Sequence, residues 1–273
     1  MTPKERVFTT LDHREPDHVP IDLGATMETT VHVDEYQLLK EHLGVAVERP
    51  VCVKHLTAQF AIVDREVQER IDAQVRGTEP LMPEQPEIRR DGEYLQLTDE
   101  FGIDWQRPVE DGLYFDMYRH PLGEASLEEM RAHPFPDPRD PRRYTRLEER
   151  LLALAEGGRY PVVFDNSFGN GIFQMCNQLM GYDKFLIALA LREKRAFWLL
   201  DKIVEAGRAV PVGDPTRREI SMGPVINENA ARNFERYCAE LEGNGGRVLL
   251  GGTRLSEGDF AHGHFAACTV AEA

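Results

Sequence analysis

Residues 160–185, YPVVFDNSFGNGIFQMCNQLMGYDKF, constrain the fold more than any other part of this chain. They open on a short apolar run, Pro161, Val162, Val163 and Phe164, whose β-branched and aromatic side chains suit a buried strand. Polar Asp165, Asn166 and Ser167 follow, then a glycine turn, Gly169, Asn170 and Gly171. Beyond the turn, Ile172, Met175, Cys176, Leu179 and Met180 recur at helical spacing. Strand, tight turn and helix in that order make one βα unit. In a parallel α/β fold, ligands sit at the loop after a strand's C-terminal end, where free helix amides meet strand-end side chains. Asp165, Asn166, Ser167 and Asn170 are therefore candidate substrate-binding residues.

Elsewhere the elements follow from caps and periodicity. Thr2 before Pro3, with Glu5 in the first turn, starts a helix that ends near Asp12. Residues 18–24 read as a strand with Asp22 at its mouth, where a strand-end ligand carboxylate and a plain turn aspartate are even alternatives. Residues 33–43 form a helix closed by Gly44, and 61–71 a second helix with a charged outer face. Residues 94–105 alternate like an antiparallel hairpin, and 114–121 pass from strand to loop. Ser126 and Glu129 make a capping box, and the proline-dense stretch 133–141 is an internal loop. Residues 142–156 and 184–206 read as helices.

Composition closes off several functions. The formal net charge of −15 argues against nucleic acid, whose phosphates reward a basic surface. No apolar run approaches the roughly 18–20 residues of a membrane span, and no signal segment opens the chain, so a cytoplasmic protein is expected. Cys52, Cys176, Cys238 and Cys268 lack the close spacing of a zinc site, and the nine histidines form no ligand cluster, so no metal is expected. No G-x-G-x-x-G follows a strand, and no cofactor is expected.

Separated blocks carry a family resemblance. Gly171, Ile172, Phe173 and Gln174, then Leu179, Gly181, Tyr182, Asp183, Phe185 and Leu186, resemble the uroporphyrinogen decarboxylase superfamily, which includes the corrinoid- and cobalamin-linked methyltransferases. The opening, with His13, Arg14, Glu15, Pro16, Asp17, His18, Val19 and Pro20, and the wording Asp99, Glu100, Phe101, Gly102, Trp105 agree with it. The resemblance implies a partial (β/α)8 TIM-like barrel over residues 1–206, and a tetrapyrrole or methyl-donor ligand lined by Asp22, Asp165, Asn166 and Ser167. It also implies exposed barrel edges through which the chain could oligomerise. Departures are specific. Gln74 stands where the superfamily has an aspartate, Leu23 to Thr26 replace an arginine-rich loop, and Asn177 takes the place of a tyrosine. No residue inherits the methyltransferases' zinc ligands, no catalytic residue is assigned, and the ancestral decarboxylation or methyl transfer is expected to be lost.

Near Gly207 the text changes. Gly213, Asp214 and Pro215, then Met222, Gly223, Pro224 and Ile226, then Gly251 and Gly252, then Gly263, His264 and Phe265, resemble the aldehyde dehydrogenase superfamily, nearest the pyrroline-5-carboxylate dehydrogenases. Residues 207–273 are thus expected to be a small α/β fragment, with a helix over 228–241 and a strand over 247–250. In that family the nucleophilic cysteine precedes the Gly-Asp-Pro block and the activating glutamate lies beyond position 273, while Cys268 does not match the nucleophile motif. The fragment is expected to lack dehydrogenase chemistry, leaving a noncatalytic interaction protein as the reading of another class. A natural fusion, a gene remnant and an assembly error all fit such a join.

Overall fold

A computed structural model of the chain describes residues 1–164, 171–208, 228–261, 263–267 and 269–272. Asp165, Asn166, Ser167 and Asn170 therefore lie outside the described residues, as do Cys268, the Gly213–Asp214–Pro215 block and the Met222–Gly223–Pro224 block.

The chain opens with α1 (Pro3–Leu11), started by the Thr2–Glu5 capping box, and α2 (Val33–Leu43), closed by Gly44 in the left-handed conformation at φ +62°. Short strands β1 (Val53–His55) and β2 (Phe60–Ala61) pair antiparallel. The helix expected over 61–71 is shorter, α3 (Arg65–Arg70), because Phe60 and Ala61 are claimed by the sheet. Tyr36, Ala61 and Val67 form a first buried cluster with Leu23, Val31 and Val63 packed around it.

β3 (Arg76–Thr78) is followed by four antiparallel strands: β4 (Arg89–Asp91), β5 (Tyr94–Thr98), β6 (Asp104–Pro108) and β7 (Asp116–Arg119). The expected hairpin is the centre of this sheet, with Leu97 opposite Trp105. Asp99 makes its turn: Oδ1 accepts the amides of Phe101 (2.9 Å) and Ile103 (3.0 Å), and Oδ2 accepts Trp105 Nε1 at 2.8 Å. Gly102 supplies the left-handed residue at φ +78°.

After α4 (Leu127–Ala132) and α5 (Leu147–Ala155), β8 (Val162–Phe164) pairs parallel with β3. Helices α6 (Ile172–Met180), α7 (Tyr182–Ala190) and α8 (Lys194–Arg208) follow. The main core gathers Phe101 and Ile103 from the sheet turn, Leu122 and Met130, and Met175, Cys176, Leu179, Met180, Phe185, Leu199 and Ile203 from these three helices. One helix was expected over 184–206. It breaks at residues 191–193, where Arg192 adopts φ +54°, and α8 turns so that Ala196, Leu199 and Ile203 face the core while Phe197 is 45% exposed.

The C-terminal part is α9 (Glu228–Gly243) with β9 (Arg247–Leu250), β10 (Arg254–Leu255), β11 (Phe265–Ala266) and β12 (Val270–Glu272), paired β9 with β12 and β10 with β11.

The expected partial (β/α)8 barrel is not formed. Among the described residues, strands are distributed over one four-stranded and four two-stranded sheets, and the parallel pairing is β3–β8 plus an Ile21–Ala73 bridge. A barrel needs each parallel strand bonded to the next. Here the chain leaves β3 into an antiparallel meander, and the 18–24 stretch is held by a single bridge rather than a ladder. The architecture is α/β with small sheets.

Candidate functional site

Three parallel segments lie side by side, 21–25 against 73–78 and 76–78 against 162–164. Gln74, fully buried, joins the first two: its backbone amide donates to Ile21 O at 2.8 Å, its Oε1 accepts Ile21 N at 2.7 Å, and its Nε2 donates to Asp72 O. An aspartate there could only accept. The departure noted in the sequence is thus a structural tie. Gly77 permits the close approach, since a Cβ on it would lie 1.9 Å from Ala25 O.

Directly after the Ile21–Ala73 bridge sits Asp22. Its Oδ1 accepts Ala25 N at 3.2 Å, and the Thr29 hydroxyl is a second hydrogen-bond partner. Burial pushes its carboxyl above the ordinary value, and these hydrogen bonds with the charges of Lys54 and Arg76 pull partly back. Lys54 Nζ donates to Ala25 O at 3.2 Å and lies 4.0 Å from Glu79 Oε2, which is 3.2 Å from His55 Nε2. Behind β3, buried Arg76 stacks on Tyr160 at 3.9 Å, and Arg150 Nη1 donates to Thr78 Oγ1 (2.9 Å) and Glu79 O (3.0 Å). Burial lowers the pKa of both guanidinium groups, which nonetheless stay charged. The cluster offers a half-buried carboxyl, an ammonium 11% exposed, and a second carboxylate.

Of the sequence-derived candidates, Asp22 lies beside the Ile21–Ala73 bridge, while Asp165, Asn166, Ser167 and Asn170 fall outside the described residues. Sequence reasoning missed Lys54, His55, Glu79 and Arg150. The available signal was polar residues closing the short strands β1 and β3. Among the described residues no three His, Cys, Asp or Glu side chains converge as a metal site would require.

The cysteines differ sharply. Cys176 is fully buried among Met175, Leu179 and Phe185, and burial pushes its thiol up to about 12. Cys52 is exposed and Cys238 half-buried on α9. In the C-terminal part, Arg254 Nη1 donates to Glu228 Oε1 at 2.7 Å, and His264 Nδ1 lies 3.1 Å from Glu228 Oε2. This ties the start of α9 to the β10–β11 hairpin, with the Arg254 guanidinium holding the Glu228 carboxyl below its ordinary value.

Comparison with known proteins locates one relationship. The aldehyde dehydrogenase family matches residues 188–273. A lactaldehyde dehydrogenase from Escherichia coli is 34% identical over 28% of this chain and 15% of its own, with a TM-score of 0.25. A betaine aldehyde dehydrogenase from Staphylococcus aureus is 24% identical over 30% of this chain and 16% of its own, also with a TM-score of 0.25. The C-terminal part of this chain is therefore aldehyde dehydrogenase-related, and the chain spans about one sixth of the length of these two relatives. The match begins 19 residues before Gly207, where the sequence text changes, and so includes α8, which packs into the main core. Residues 1–187 lie outside it, and the decarboxylase resemblance there rests on its motif blocks.

Proposed function

We propose that the aldehyde dehydrogenase-related segment, matched over residues 188–273, does not oxidise aldehydes. The observation that supports this reading is that the matched residues contain no cysteine ahead of Gly213, and Cys176, the nearest one upstream, is sealed in the core. The family resemblance puts the nucleophile ahead of the Gly213–Asp214–Pro215 block, where the chain offers Cys176 and the distant Cys52. A dehydrogenase nucleophile must be an accessible thiolate. Cys176 is an enclosed thiol with its pKa pushed up to about 12.

The test is direct. Purified chain given NAD and glutamate semialdehyde, lactaldehyde or betaine aldehyde should form no NADH above the protein-free rate. NADH formation that disappears in Cys52→Ala or Cys176→Ala would overturn the reading.

A second reading concerns residues 1–206 and is favoured by the Asp22 cluster. The motif blocks support a relationship to the uroporphyrinogen decarboxylase superfamily, and Asp22, Lys54 and Glu79 provide the charges a small polar ligand would engage. Burial holds the Asp22 carboxyl above its ordinary value.

A further inference from the structure

Between the start of α2 and the loop from β6 to β7 lies a cavity of about 590 Å³, within the range small-molecule sites occupy. It has a structural cause. The 113–115 loop is tethered at two points, by Phe115 N donating to Thr57 O at 2.8 Å and His32 Nε2 donating to Leu113 O at 2.7 Å. The space between the tethers is left open. Its walls are apolar, with Val31, Phe60, Trp105 and Tyr114 presenting three aromatic rings. Trp105 is held in place by its Nε1 bond to Asp99.

The polar side is small and acidic. Thr30 Oγ1 is committed to Ala61 O at 2.7 Å. His32 uses both ring nitrogens: while Nε2 donates to Leu113 O, Nδ1 accepts the Asp34 amide at 3.3 Å. The Glu35 carboxylate lies 3.1 Å from Nδ1, and Asp34 Oδ2 lies 3.6 Å from it. Glu35 lines the cavity beside His32, its side chain exposed, so that a carboxylate oxygen can face a ligand. Arg107, 5.3 Å from the Phe115 ring, is tied to Gly112 O at 3.1 Å and is not among the lining residues.

We propose that this cavity binds an arylalkylamine cation, its ring between Phe60, Trp105 and Tyr114 and its ammonium at Glu35. Aromatic faces and a carboxylate both attract an ammonium group. The chain's net charge of −15 raises the local concentration of cations and disfavours anions. The proposal is independent of the dehydrogenase-related segment.

The chain's two tryptophans are Trp105 and Trp198, so Trp198→Phe leaves a single reporter in the cavity wall. Its fluorescence is titrated with 2-phenylethylamine, neutral 2-phenylethanol and anionic phenylacetate. A saturable change with the amine is expected, at least about tenfold weaker binding of the alcohol, and none of phenylacetate, since a factor of ten is about 1.4 kcal/mol. Glu35→Gln, at an exposed helix position, should bring the amine to the alcohol's affinity. Ala58→Phe, which fills the cavity, should abolish binding. Equal affinity for all three probes, unchanged amine affinity in Glu35→Gln, or no saturable change up to about 10 mM amine would overturn the proposal.

Discussion

At the scale of single residues, Asp22 is the position where environment most alters chemistry. Its carboxyl is pushed above the ordinary value of 3.8, first by burial. The folded protein therefore binds this proton more tightly than the unfolded chain. The site favours folding below 3.8, and that contribution is lost as pH rises through the raised folded value. Asp22→Asn keeps an acceptor for Ala25 N and removes the buried charge. Its urea midpoint should exceed that of the parent protein at pH 7 and converge with it below pH 3.8. A lower midpoint for the variant at pH 7 would show that Lys54 and Arg76 outweigh the burial. Asp22 follows the single Ile21–Ala73 bridge and not a full 18–24 strand, and its neighbours were not legible. Lys54 lies in β1 and Glu79 just after β3, and no spacing in the sequence brings them together. Asp99 teaches the opposite lesson. The Asp-Glu-Phe-Gly wording that resembles a family is, in the fold, a turn whose carboxylate accepts two backbone amides and an indole N–H.

Among the elements, those with a cap or a complete periodic face were readable. The capping box at Thr2, the closing Gly44 and the amphipathic run of α9 each specify a helix locally, and each helix lies where expected. The break between α7 and α8 was not readable, because no glycine or proline marks it. Tertiary packing makes it: Phe185 and Ala188 on one side and Ala196 and Leu199 on the other all reach the same core only if the helix turns. The cost falls on Arg192, a non-glycine residue at φ +54°. Left-handed backbone costs an L-residue about 1 kcal/mol that glycine avoids. Arg192→Gly should therefore raise stability by roughly 0.5–1 kcal/mol in a denaturant titration. A loss of that size would mean that the exposed arginine contributes more than its backbone strain costs.

For the whole molecule, the expectation of a barrel failed because one βα unit and a strand-like opening do not determine how strands pair. The βα unit is present as β8 and α6, yet β8 has β3 as its parallel neighbour and the strands between them form an antiparallel meander. The C-terminal text, by contrast, was legible as aldehyde dehydrogenase-related, and the family match over 188–273 agrees with it. Leu179 and Phe185 belong to the main core, to which α8, inside the family match, adds Leu199, while Phe265 of the β10–β11 hairpin is buried and packs edge-on against Phe260 at 5.2 Å. The central claim, that two units of different descent share this chain, is tested most directly by calorimetry of the parent protein beside Leu179→Ala and Phe265→Ala. Each substitution opens a buried core and should cost about 2–5 kcal/mol. The account predicts two unfolding transitions, one lowered by Leu179→Ala alone and the other by Phe265→Ala alone. A single cooperative transition lowered by both substitutions would contradict it.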